Sequence, residues 1–87
     1  MNVKISLMQK SGIIVMKLAH ELIGREVGDK IDTVANYAER YETARGTVQS
    51  AIKLLQEHKA ISLEARGHLG TFITGIDHKK LLDFTDR

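Results

Sequence analysis

Apolar positions along the chain repeat at helical spacing in its first two thirds and alternate in the segment that follows. Ile14, Val15, Leu18, Ala19 and Leu22 fall on one face, which predicts a first helix with Ser11 as its cap and Gly24 at its end. Thr33 is placed to cap a second, short helix whose apolar side is Val34 and Ala38, flanked by Tyr37 and Tyr41. Val48, Ala51, Ile52 and Leu55 follow the i, i+3, i+4, i+7 rule and predict a third helix from near residue 44 to Lys59. Its opposite face carries Arg45, Gly46, Gln49, Ser50 and Lys53, polar throughout and small at the centre.

The period then shortens. Ile61, Leu63 and Ala65 alternate with Ser62, Glu64 and Arg66, Gly67-His68-Leu69-Gly70 forms a loop, and Thr71-Phe72-Ile73-Thr74 returns as the second strand of a hairpin. Arg25 to Asp32 reads as a connection with room for a very short strand near Lys30 and Ile31. Val3, Ile5 and Leu7 suit a short strand or a loose arm equally well. Asp77 to Phe84 can start a fourth helix on Leu81, Leu82 and Phe84. The expected fold is mainly α with a small β-hairpin, a winged helix-turn-helix of three helices and a two-stranded wing. It comprises an arm or strand over 1–10, the domain over 11–76, and a tail or linker over 77–87.

Composition narrows the functions such a fold can have. With 87 residues the chain makes one domain, which at this size buries only about 60% of the surface its unfolded form exposes. It has no cysteine, so disulfides and thiolate metal sites are excluded and packing alone must hold it. No apolar run approaches the roughly 20 residues of a membrane span, and the first ten residues lack the pattern of a signal peptide. A cytoplasmic protein with no membrane partner is expected. Thirteen Lys and Arg against eleven Asp and Glu give +2, which permits a polyanionic partner without establishing one. His20, His58, His68 and His78 are dispersed, none with a companion at ligand spacing, so no metal site is expected. His58 instead stands where it complements the dipole at the end of the third helix. No nucleophile has an evident base, and no glycine loop precedes a helix as a phosphate cradle. Neither enzyme activity nor a cofactor is expected.

A polar helix face followed by a hairpin is suited to double-stranded DNA, the helix entering the major groove and the hairpin gripping flanking backbone. Arg45 can reach a phosphate or pair with a guanine edge, Gln49 can pair with an adenine edge, and Thr47 and Lys53 can contact phosphate. Gly46 and Ser50 allow close approach. Arg66 can lie along a phosphate strand or in a minor groove. His68 and Leu69 form the hairpin tip, where folding back of Leu69 onto the domain is the simplest account of that leucine. Solvated charge is the competing account of Arg45 and Lys53, and local capping that of Thr47.

Gly28-Asp29-Lys30-Ile31 through Tyr37-Ala38, Arg45-Gly46-Thr47-Val48, Ala51-Ile52-Lys53-Leu54-Leu55, Ala60-Ile61 and Gly70-Thr71-Phe72-Ile73 resemble the winged helix-turn-helix of GntR-type bacterial transcription regulators. The likeness covers about residues 12 to 76. Gly12 through Glu26, Gly28-Asp29 and the hairpin loop from Arg66 to Gly70 look like the amino-terminal domain of the YhfZ-like branch. The resemblance implies the DNA-binding domain of a regulator, a homodimer on a palindromic operator, with any effector held by a domain absent from this chain. The implied DNA-binding set is Thr43, Arg45, Gly46, Thr47, Gln49, Ser50 and Lys53, with Arg66, Gly67, His68, Gly70 and Thr71 from the hairpin. The chain departs from the pattern at Ala35 and Gln49, where the family has arginines, at Leu54, where a charge is frequent, and at Ala44, where a capping serine is common. Thr43 is the alternative cap, and the missing charges imply a weaker reader. The competing function is a protein-interaction module using Tyr37, Tyr41, Leu54, Leu69 and the tail.

Overall fold

A computed structural model describes residues 10–85. The arm or strand expected of residues 1–10 lies, except for Lys10, outside the described residues. The order is α1 (Lys10–Leu22), β1 (Lys30–Ile31), α2 (Val34–Arg40), α3 (Arg45–Glu57), β2 (Ile61–Ala65), a 3-10 turn (Gly67–Leu69), β3 (Thr71–Ile76) and α4 (His78–Thr85).

The first helix buries its whole expected stripe, Ile14, Val15, Leu18, Ala19 and Leu22, chiefly against α3 and α4. Its described part runs from Lys10, so Ser11 stands within the helix and not at its cap position. Gly24 stands within the closing turn, in which Arg25 N–H donates to Leu22 O at 2.9 Å. The second helix starts as expected, since Thr33 Oγ1 accepts from Asn36 N at 3.0 Å. Val48, Ala51 and Leu55 of α3 are fully buried, and with Tyr37, Ile61, Ile73 and Leu81 they complete one core. Each of the buried valine, leucine and isoleucine side chains contributes on the order of 1.5–3 kcal/mol relative to exposure.

The wing differs from the two-stranded expectation. The sheet has three antiparallel strands in the order β1-β3-β2, because Lys30 pairs with Phe72 and Ile31 with Thr71. Gly28 N–H to Ile73 O and Ile73 N–H to Asp29 O, both 2.8 Å, extend that pairing into the preceding loop. A bulge between Ser62 and Leu63 leaves Thr74 without a partner on β2. The expected alternation in β2 fades outward: Ile61 is buried, Leu63 half-buried and Ala65 exposed as the hairpin leaves the core.

Residues 78–85, in the stretch read as tail or linker, form the fourth helix that Leu81, Leu82 and Phe84 allow. Asp77 Oδ1 accepts from Lys80 N at 3.2 Å to cap it, and His78 Nε2 donates to Arg25 O at 2.9 Å. Leu81 is fully buried, Phe84 meets the edge of the His58 ring with centroids 5.5 Å apart, and Leu82 is exposed. The ring of His58 therefore packs on α4 as well as standing at the end of α3.

Charged groups tie α1 to α2. Arg40 places Nη1 2.6 Å from Glu21 Oε2 and Nη2 2.5 Å from Asp32 Oδ2, while Tyr41 donates its hydroxyl to Glu21 Oε1. Asp32 also accepts from Asn36 Nδ2 at 2.7 Å and Thr33 N at 2.9 Å, and these bonds hold its carboxyl below the usual carboxylate range.

Candidate nucleic-acid interface

Two helix ends and a glycine turn position the candidate residues. The second helix closes on Tyr41 with a Schellman motif: Thr43 N–H donates to Ala38 O at 2.9 Å and Glu42 N–H to Glu39 O at 3.2 Å. The residue that must be left-handed there is Glu42, at φ 54°. The third helix ends the same way, with Ala60 N–H on Leu55 O, Lys59 N–H on Gln56 O, both 2.9 Å, and Lys59 at φ 61°. The turn between α2 and α3 is therefore short and tightly bonded, as a helix-turn-helix requires.

The N-cap position of α3 is Ala44, and no side chain caps it. Thr43 does not take over that role. Its hydroxyl oxygen is buried without a hydrogen-bond partner among the described residues, so it is not displayed to a ligand. Arg45, Gly46, Gln49, Ser50 and Lys53 are all exposed and Thr47 is half-buried. Positions 46, 49, 50 and 53 lie at spacings of three and four along one stripe, opposite the buried Val48, Ala51 and Leu55.

In the wing, Arg66 N–H donates to Gly70 O at 2.8 Å and Gly70 N–H to Gly67 O at 3.1 Å. Gly70 sits at φ 109°, a conformation that side chains rarely adopt, and Gly67 at φ 58°. Arg66 is engaged within the wing: Nη2 is 2.9 Å and Nε 3.1 Å from Glu64 Oε1, and the guanidinium lies 4.7 Å from the Phe72 ring centre. Both partners of that pair are about half exposed, so the pair is worth about 0–1 kcal/mol and can be exchanged for a phosphate. His68 is exposed, and Leu69, at 56% exposure, projects from the tip instead of folding back onto the domain.

Between α3 and the wing lies a concavity of about 440 Å³. It brings together Gln49 and Lys53 from the helix with Gly67, Gly70 and Thr71 from the wing, and adds Ile52, Gln56, Leu63 and the run Lys30 to Val34. Arg45, Gly46, Thr47, Ser50, Arg66 and His68 do not line it. Sequence reasoning missed Lys30 and Gln56 as lining residues. Gln56 stands two turns after Gln49 on the same helix and could have been found by spacing; Lys30 enters only through the pairing of β1 with β3. A second depression of about 600 Å³, lined by Met16, Lys17, His20, Glu21, Tyr41 and Thr85, contains none of the expected contacts.

The charges divide into two groups. Arg25, Arg40 and Arg66 each lie within ion-pair distance of a carboxylate. Among the described residues, no ion pair involves Arg45, Lys30 or Lys53. Asp32, which also lines the concavity, is bound to Arg40. Among the described residues no group of three or more His, Asp or Glu could hold a metal ion, and no helix is long and apolar enough to cross a membrane.

Comparison with known proteins agrees with this geometry. The family described as a helix-turn-helix domain matches residues 26–73. YhfZ of Escherichia coli (strain K12) is 32% identical over 78 residues, 90% of this chain and 26% of YhfZ, so the chain spans about a quarter of that relative. A GntR family transcriptional regulator from Listeria monocytogenes is similar in structure at a TM-score of 0.65 and 28% identity, over 90% of this chain and 68% of that one. Streptococcus agalactiae GntR gives a TM-score of 0.59 at 27% identity, over 75% of this chain and 32% of its own. From the motif over residues 26–73, the capped helix pair and the three-stranded wing, the chain belongs to the helix-turn-helix domain family, in its GntR type.

Proposed function

We propose that this domain reads double-stranded DNA as the sequence-specific module of a bacterial GntR-like transcription regulator in the cytoplasm, acting as a homodimer on a palindromic operator. The observation that carries the reading is the exposed polar stripe of α3 beside a wing, the two joined by one concavity and supplied with cations that no carboxylate neutralises among the described residues. A helix whose exposed stripe carries the small residues Gly46 and Ser50 fits closely into a major groove roughly 12 Å wide. Arg45, in the first turn, is the candidate for a guanine edge or a phosphate, and Gln49 for an adenine edge. Thr47 and Lys53 are assigned to phosphates. Thr71 and the backbone at Gly67 and Gly70 follow the flanking strand, with His68 at the tip and Arg66 joining when it leaves Glu64. An effector would act through a domain beyond these residues.

The names of two similar structures, one a GntR and the other a GntR family transcriptional regulator, support the reading. The competing protein-interaction surface has lost most of its members. Tyr37 is fully buried, Tyr41 is bonded to Glu21 and Leu54 packs on the core, which leaves Leu69 and, in the tail, Leu82 well exposed.

Selection of bound duplexes from a random pool tests the proposal. A bound pool that converges on an inverted repeat, with half-sites about 10 base pairs apart or a multiple of that, is the expected result. No enrichment over input would remove sequence reading, and enrichment of a single unrepeated half-site would remove the dimer.

A further inference from the structure

Lys30 occupies the first position of β1, opposite Phe72, on the strand that sequence periodicity resolves least. A side chain built on Gly70 would strike Lys30 Cε and would lie 3.2 Å from Nζ and 3.3 Å from Cδ. The lysine stem is therefore laid across bare backbone at the root of the wing loop. Glycine serves twice at position 70: its φ of 109° shapes the loop, and its missing Cβ leaves the track in which Lys30 runs.

That track leads into the concavity between α3 and the wing, which Lys53 enters from the helix side. Among the described residues neither lysine has a carboxylate at ion-pair distance. Asp32, the acid that lines the same space, is matched by Arg40 at 2.5 Å and by the Asn36 amide. Among the described residues the concavity thus keeps two ammonium groups outside any ion pair, with Gln49, Gln56 and Thr71 as neutral donors. An ammonium on a flexible stem suits a phosphate oxygen as a point charge, and carries no base information.

We infer that Lys30 and Lys53 form a two-sided clamp on one phosphodiester segment of the DNA backbone, with Lys30 a phosphate-binding residue supplied by the third strand of the wing. This rests on the proposed DNA-binding function and adds a contact that the helix and hairpin tip do not provide. It partly offsets the arginines replaced by Ala35 and Gln49. Because the contact is to phosphate, its contribution is the same for every duplex sequence and falls as salt rises.

The test is the binding of mixed-sequence duplex DNA to the full chain between about 50 and 200 mM salt. The proteins compared are the wild type, Lys30→Gln, Lys30→Arg and Lys79→Gln, the last an exposed α4 lysine outside the concavity. Thermal melting of each protein verifies the fold. Lys30→Gln is expected to melt like the wild type and to reduce the slope of log affinity against log salt by about 0.9. Lys30→Arg is expected to keep the wild-type slope, as is Lys79→Gln. A wild-type slope for Lys30→Gln, with wild-type binding intact, overturns the clamp and leaves the DNA-binding reading standing. Absence of duplex binding by the wild type at low salt overturns both.

Discussion

Tyr41 donates its hydroxyl hydrogen to the carboxylate of Glu21, so the residue that closes α2 is tied to the last turn of α1. Burial first, and then Glu21, hold the Tyr41 phenol well above its ordinary value of 10.0. Because the folded value is raised, the stability this group contributes is complete below the unfolded pKa near 10 and is lost as pH climbs beyond it. Tyr41→Phe is expected to cost about 1 kcal/mol near neutral pH, a charged-acceptor hydrogen bond discounted for partial exposure. It should also flatten the decline above pH 10, as read from urea midpoints across the alkaline range.

Asp32 gives the acid counterpart. Its carboxyl is held low by the Asn36 amide and then by the Thr33 N–H, which outweigh the burial penalty, and Arg40 adds a lesser lowering. A lowered folded pKa contributes stability that is present above the unfolded value of 3.8 and is lost as pH falls through the folded one. Asp32→Asn should leave a shallower acid limb than the wild type below about pH 4, measured by thermal melting across a pH series. Identical acid limbs would assign the effect to other carboxylates.

Glu42 and Lys59 hold left-handed conformations that cost non-glycine residues about 1–2 kcal/mol. Neither side chain makes a hydrogen bond or ion pair among the described residues. Glu42→Gly and Lys59→Gly should each raise stability by about 0.5–1 kcal/mol, once the greater freedom of glycine in the unfolded chain is deducted. Chemical denaturation reads the gain, which should be additive because the two sites close different helices.

Adjacent leucines in α4 make a matched pair. Leu81 is fully buried and Leu82 is 52% exposed. Leu81→Ala should cost about 3 kcal/mol, and Leu82→Ala should stay within about 0.5 kcal/mol. Equal and small losses would mean that α4 is dispensable to the core.

On the proposed interface, Arg45→Ala should weaken selected sites by about 1–3 kcal/mol and relax preference at one base pair. Lys53→Ala should weaken all duplexes alike and lower the salt slope by about 0.9. Affinity measured on selected and scrambled duplexes separates the two, and an equal loss on both for Arg45→Ala would assign it to phosphate.

What the sequence made legible was local. The α1 stripe, the Thr33 cap and the hairpin follow from spacings of two to four residues, and all three are in the structure. Pairings across long stretches of chain were not legible. The short strand expected near Lys30 and Ile31 is present as β1, but its place in the sheet comes from Ile31 meeting Thr71, and Lys30 reaches the concavity because Gly70 leaves its path open. Nothing in the neighbouring residues of either encodes that meeting. Capping by Thr43 fails because its hydroxyl is turned inward, which depends on how α1 and the turn pack. The choice between Leu81 and Leu82 likewise depends on where α1 lies. At the interface, the exposed face of α3 could be read from its periodicity, whereas the engagement of Arg66 by Glu64 and Phe72 depends on the wing's own geometry.

The third helix passes into the wing through one left-handed residue, Lys59, and one fully buried alanine. Ala60 uses its N–H to finish α3 on Leu55 O and its carbonyl to receive Asp77 N–H at 2.8 Å, where α4 begins. Helix, wing and final helix thus meet at a single residue, leaving little backbone freedom at their hinge. A surface that engages both α3 and the wing meets them already assembled, and the ordering cost of association falls on side chains at the rim.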